Sequence, residues 1–205
     1  MTLRVLIVLL LMGCGPAEEA RVRVVNAVSA QGALDVEVAG LPVARALRFG
    51  EVSAFVPVVS GAVPATVHAG DAPLLSTTLT LTPGGVQTLL LTPEPFVLTH
   101  AFPAPVPGLM RVRVFNGLGE RAVVALPGIT SVLEPGEDSG PEGLELAANR
   151  RAALVLVMGP QRLAFTVPAL PAESEVLLVA TRAGAPVFLA VAPSAALGLL
   201  QAEAP

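Results

Sequence analysis

Near the start of this chain the stretch RVRVVN occupies residues 21–26, and it returns as RVRVFN at residues 111–116, an offset of 90 residues. Two further echoes keep the same order: FGEVS from Phe49 against PGEDS from Pro135, and TLTPGGVQTLLLT from Thr80 against VPALPAESEVLLVAT from Val167. Ordered self-similarity constrains architecture more than any single motif, because each copy has to be one structural unit. Solenoid repeats have periods of roughly 20–50 residues. The longer offset here predicts two tandem domains instead.

Within each copy the apolar residues recur with a period of two. In RVRVV, Arg21 and Arg23 alternate with Val22 and Val24; in LDVEV, Leu34, Val36 and Val38 alternate with Asp35 and Glu37; in TTLTLT, Leu79 and Leu81 alternate with three threonines. Alternation of this kind predicts antiparallel sheet with one buried and one wet face, the two arginines lying on the wet face. Short runs are punctuated by GLP, SGAVP, TPGG and EPGEDSG, which read as turns. The one stretch with any helical look, residues 144–157, ends in apolar and β-branched residues and reads better as strand. The expected fold class is all-β: two tandem antiparallel β-sandwich (immunoglobulin-like) domains after a lipoprotein signal peptide. Module 1 is placed at residues 20–99 and module 2, a degenerate copy, at 109–192. Between them residues 100–108 carry Pro103, Pro105 and Pro107, a semi-rigid extended connector. An Ala-rich tail follows at 193–205.

The chain has a single cysteine, Cys14, at the end of the run MTLRVLIVLLLMGCG. A membrane-spanning helix needs about 20 apolar residues; the run from Val5 to Met12 is much shorter and is stopped by Gly13, Gly15 and Pro16. With Arg4 at its positive end it fits the apolar segment of a secretory signal peptide. Leu11-Met12-Gly13-Cys14 resembles the bacterial lipobox. The resemblance implies cleavage after residue 13, a diacylglycerol on the Cys14 thiol and acylation of the new amine. Residues 14–19 would then form a tether. Several acyl chains at about 0.8 kcal/mol per buried methylene anchor a protein stably where one does not. The expected location is the cell envelope, lipid-anchored and extracytoplasmic. Gly15, standing where inner-membrane retention commonly has Asp, points to the outer membrane. With no second cysteine, no internal disulfide restricts the unfolded chain.

The first copy resembles the domain-of-unknown-function family 4397 (DUF4397), a bacterial envelope module often found in tandem. The residues that carry the resemblance are ARVRVVNAVS, LDVEVAG, LRFGEVS and LTLTPGGVQTL, in that order, over about residues 20–91. The family's usual His falls at Asn26, its late Tyr at Gln87, and its Asp-Ala-Pro turn is replaced by AQGA. The resemblance implies a β-sandwich in an extracytoplasmic setting and supplies no catalytic residues.

Lysine, tyrosine and tryptophan are absent, and the formal net charge is -4. A chain without clustered basic residues or stacking aromatics is not expected to bind nucleic acid. His68 and His100 stand apart with no second ligand at a diagnostic spacing, so no metal site is expected. Neither a Gly-x-Ser-x-Gly elbow nor a phosphate-binding glycine loop occurs. Glu134, Glu137, Asp138, Glu142 and Glu145 form an acidic stretch that reads as a solvated turn, with a weak cation site as the alternative. Glu51 and Ser53 recur as Glu137 and Ser139, which points to a shared turn; Arg45 and Arg48 are surface arginines with anionic glycan binding as the alternative. The reading is therefore of a non-enzyme without cofactor: an envelope lipoprotein whose two modules serve a structural, adhesive or protein-interaction role. The alternative is a ligand-binding module for glycan or cell-wall material. Expected partners are the membrane, through Cys14, and an envelope protein. With 53% apolar residues, an exposed apolar patch would mark the first role and a polar groove the second.

Overall fold

The structure is a computed structural model, and it describes residues 18–92, 96–99, 107–140, 143–192 and 196–202. Within these residues the chain forms seventeen β-strands and no helix. The first eight are β1 (Glu19–Asn26), β2 (Leu34–Val38), β3 (Leu41–Leu47), β4 (Val56–Val59), β5 (Gly61–Ala69), β6 (Ala72–Leu81), β7 (Val86–Leu91) and β8 (Phe96–Thr99). They make two sheets, ordered β4-β1-β7-β8 and β3-β2-β5-β6. Leucine and valine from every second position of both sheets meet in one core, including Val22, Val24, Val36, Val67, Leu81 and Leu89. Gly61, at φ 101°, lies where the chain passes from the first sheet to the second, a backbone conformation that a side chain would strain.

The remaining strands repeat the plan: β9 (Leu109–Asn116), β10 (Ala122–Leu126), β11 (Ile129–Leu133), β12 (Leu144–Ala147), β13 (Ala152–Met158), β14 (Gln161–Val167), β15 (Glu175–Ala183), β16 (Ala185–Val191) and β17 (Ala196–Leu200). Their sheets are ordered β12-β9-β15-β16-β17 and β11-β10-β13-β14, around a second core that contains Val112, Leu154, Phe165 and Phe188. The Phe165 and Phe188 rings meet edge to face at 4.9 Å. Two β-sandwiches in tandem are thus present, as the repeat predicts. The stretch 144–157 is β12 and most of β13, with no helix. Each first sheet also holds a parallel pair, β1 with β7 and β9 with β15, inside otherwise antiparallel pairing. Side-chain alternation is the same for either strand direction, so sequence periodicity is blind to this feature.

The expectation that Arg21 and Arg23 share a wet face holds for Arg21, which is exposed, and is corrected for Arg23, which is buried. From Arg23 onward the odd-numbered face of β1 is covered by the other module. A third apolar cluster joins Val25, Ala27 and Leu90 of module 1 to Phe115, Leu177, Val179, Leu189 and Val191 of module 2. The four sheets therefore stack as outer, inner, inner, outer, and the central strands of both inner sheets are buried on two faces. Consecutive residues serve different cores: Val24 faces its own sandwich and Val25 the seam, and Val114 and Phe115 do the same. Near-continuous apolar runs such as VLLVA in β15 and VFLAV in β16 are the usual mark of such doubly covered strands.

The seam has an approximate two-fold relation. The Thr181 hydroxyl of module 2 donates to the Ala27 carbonyl of module 1 at 2.7 Å. The matching pair in the other direction is Thr92 and Gly117. A Cβ on Gly117 would fall 2.7 Å from the Ala180 carbonyl oxygen and 3.1 Å from Cγ2 of Thr92, so only hydrogen fits. Gly117→Ala is expected to destabilise the protein by about 1–3 kcal/mol through overpacking. Denaturant melts of the two proteins measure it, and an unchanged midpoint would show that the seam has slack there.

Candidate functional site: an outer groove and a charged seam

The polar residues that recur between the modules fix the end of the first strand. Asn26 and Asn116 are wholly buried. The Asn26 side chain donates to the Leu47 carbonyl at 3.0 Å and accepts from the Val28 amide at 2.9 Å. Asn116 donates to the Leu133 carbonyl at 2.9 Å and accepts from the Leu118 amide at 3.1 Å. The repeated Glu and Ser complete the arrangement. Glu51 Oε2 accepts from the Arg48 amide at 2.7 Å, as Glu137 does from Glu134 at 2.9 Å. Ser53 Oγ accepts from the Val24 amide and Ser139 Oγ from the Val114 amide, each at 2.9 Å. The shared turn expected from sequence is thus present in both copies and serves the backbone.

On the outer sheet of module 1, Asp35, Glu37, Arg45, His68 and Asp71 line a groove of about 270 Å³. Asp35 and Glu37 share a face because they are two apart on β2, and β5 pairs His68 directly opposite Asp35. The register between β2 and β3 shifts here, and Asp35 Oδ1 accepts from the Ala46 amide at 2.6 Å. Ala46 holds φ 48°, a conformation that the hydrogen bond and the bulge impose. In module 2 the pairing of β10 with β13 puts Val123 opposite Val157, and the residue corresponding to Glu37 is Ala125. The groove chemistry belongs to module 1 alone, so the sandwich does not need it.

The other sequence candidates do not converge. Arg48 lies in the shared turn, away from the groove lining. Asp138 pairs with Arg113, Glu145 with Arg111 at 3.4 Å, and Glu134 with Arg121 at 3.4 Å, so the acidic stretch is divided among separate partners. Among the described residues no group of three or more His, Cys, Asp or Glu side chains is placed to hold a metal. Cys14, His100 and Glu142 lie outside the described residues, as do the signal segment and residues 100–106 of the connector. The exposed large apolar side chains, Leu41, Val59, Leu74, Val132, Leu197 and Leu199, are spread over five strands and all four sheets.

Sequence reasoning missed the charged seam. Arg23, 2% exposed, donates through Nε to Thr88 Oγ1 at 3.0 Å and through Nη1 to the Ala192 carbonyl at 2.8 Å. Its guanidinium also lies 4.9 Å from the Phe55 ring centre. Burial lowers its pKa to about 10, partly offset by the charge of Glu175. Burial likewise raises the Glu175 carboxyl above its usual 4.5, against the pull of Arg111, Arg113 and Arg23. The repeat itself carried the signal, since Arg23 and Arg113 are kept together with the buried Asn.

A family described as "Domain of unknown function (DUF4397)" matches residues 20–122, taking in module 1 and the first strand of module 2. No curated protein matches the chain.

The Glu175 shift has a definite sign. A carboxyl whose folded pKa exceeds its unfolded one contributes stability below about pH 4.5, lost as pH rises through the folded value. Glu175→Gln is therefore expected to melt no lower than the parent at about pH 7. The parent should gain on the variant as pH falls toward 4.5. A parent that loses ground to the variant on acidification would contradict burial as the dominant cause.

Proposed function

The chain belongs to the DUF4397 family, and on that premise we propose that it is a non-enzymatic cell-envelope lipoprotein, held to a membrane through Cys14. Its two β-sandwich modules serve a structural or protein-interaction role outside the cytoplasm. One observation carries this reading. The polar residues that the two copies share, Asn26 with Asn116, Glu51 with Glu137 and Ser53 with Ser139, bond to the backbone that they hold in place. A scaffold is what has been duplicated. The anchor rests on Leu11-Met12-Gly13-Cys14 and the short apolar run before it, features of the sequence alone. The outer membrane is the preferred site because Gly15 follows the cysteine.

A second reading is favoured by the groove on β2, β3 and β5: a module that binds glycan or cell-wall material. Its mixture of carboxylates, Arg45 and His68 offers donors and acceptors to a hydroxyl-rich ligand. Phe is the one aromatic type in the chain, so sugar stacking would contribute little. Titrating soluble cell-wall fragments while following the His68 imidazole by NMR separates the readings. Shifts that saturate support the ligand-binding role, and an unmoved resonance supports the scaffold.

The anchor has its own test. Cells fed a fatty-acid analogue are expected to label the parent chain and to leave Cys14→Ser unlabelled and released from the membrane fraction. Equal labelling of both would overturn the lipoprotein assignment.

A further inference from the structure

Among the described residues strand β6 is the longest at ten residues, and it lies at the edge of its sheet with β5 on one side. Among the described residues no strand pairs with its other side. Free edges present unpaired amides and carbonyls, and proteins usually blunt them with charge, proline, bulges or short length. Most other edges here carry such a guard. β3 has Pro42, Arg45 and a register shift; β4 and β12 are four residues long; β14 carries Arg162. β6 has Pro73 and a register shift at Leu74, both near its start, and no charged residue occurs between Ala72 and Thr92, so the run from Leu75 to Leu81 is unguarded.

Module 2 provides an internal comparison. β14 occupies the place of β6, and Thr166 opposite Ala153 corresponds to Thr78 opposite Pro64. There β17, a strand without a described counterpart in module 1, comes close to β14, and Leu163 and Leu200 pack on the same core. The corresponding edge of module 2 is therefore flanked.

We propose that β6 is a homodimer interface: two copies of this chain join their outer sheets by antiparallel β6–β6 pairing about Thr78. The sequence is self-complementary in that register. Thr78 meets Thr78 and Ser76 meets Thr80 on the exposed face, while Thr77 meets Leu79 and Leu75 meets Leu81 on the core side. Ser76, Thr78 and Thr80 are exposed, so hydroxyls face hydroxyls across the two-fold axis. Leu79 and Leu81 belong to the module core and Leu75 packs against it, so the leucine layer continues through the joint. Two four-stranded outer sheets become one of eight strands, and both open edges disappear.

Facing residues in antiparallel strands have Cα separations of about 4.5–5.5 Å, inside the range of about 4.4–6.8 Å that a disulfide spans. The test uses the full chain carrying Thr78→Cys, compared after mild oxidation with the parent, whose one cysteine is Cys14, and with Thr166→Cys. A disulfide-linked dimer at least about tenfold more abundant for Thr78→Cys than for either control is expected. Sedimentation of the parent should show a concentration-dependent dimer, and Thr78→Lys should raise its dissociation constant at least about tenfold through two facing like charges. Circular dichroism and the melting midpoint show whether the lysine variant is folded; should it unfold, the cysteine comparison decides alone. A parent that sediments as a monomer throughout, or a dimer that Thr166→Cys traps equally well, would overturn the proposal.

Discussion

The central strands of both inner sheets of this protein are covered on two faces, and the rest of the structure follows from that burial. A sheet packed on one side can place charge on the other, but over most of their length β1, β7, β9 and β15 have no wet face to use. Their sequences become nearly continuous apolar runs, with Val25, Leu90, Phe115 and Val179 turned to the seam and their neighbours turned to the sandwich cores. The charge that remains has to be accommodated. Arg23 is directed to the Thr88 hydroxyl, to a backbone carbonyl of the opposite module and to the Phe55 ring, and Arg113 is directed to Asp138. Burying an ion without such partners would cost several kcal/mol. Of these contacts, the bond from Arg23 to the Ala192 carbonyl crosses from one module to the other.

The seam also explains how two small sandwiches hold together without a disulfide. Each module has its own core, and the third cluster adds apolar burial that neither could form alone. Approximate two-fold exchange between the modules makes the seam resemble the isologous interface of a dimer carried within one chain. Its two halves have diverged. Where module 1 places Val52 against the seam, module 2 places Asp138 on Arg113. The outer sheets have diverged further: Asp35 and His68 face each other in one copy and Val123 and Val157 in the other. The conserved interior with variable outer faces is the pattern of a duplicated scaffold whose surfaces took separate paths.

Much of the fold was legible in the sequence, and the reason is local. Period-two alternation and Gly-Pro punctuation report strands directly, and the recurrence of RVRV with the Glu-Ser turn reports two copies. Position 26 is the clearest case: an Asn repeated at 116 within an apolar run is explained by the buried carbonyl it must satisfy. Face assignment was less legible. Arg21 and Arg23 do share one side of β1, but alternation says which residues are together and not what covers them. The covering module lies far along the chain, and contact between the two has no local signature. Strand direction escaped for the same reason, since the β1–β7 pair joins segments that flank an entire sheet. Of the candidate sites, the groove residues were noticed separately as Arg45 and His68. Their convergence depends on the cross-strand register and on the two register shifts between β2 and β3.

The face-to-face stacking of the modules is the central claim, and small-angle X-ray scattering in solution tests it most directly. A compact chain of this length has a radius of gyration of about 17 Å, and four sheets spaced roughly 10 Å apart form one block. The stacked arrangement predicts a radius close to that value and a pair-distance distribution with one maximum. A two-lobed distribution, with a clearly larger radius, would mean that the modules are separated on their connector and would contradict the seam.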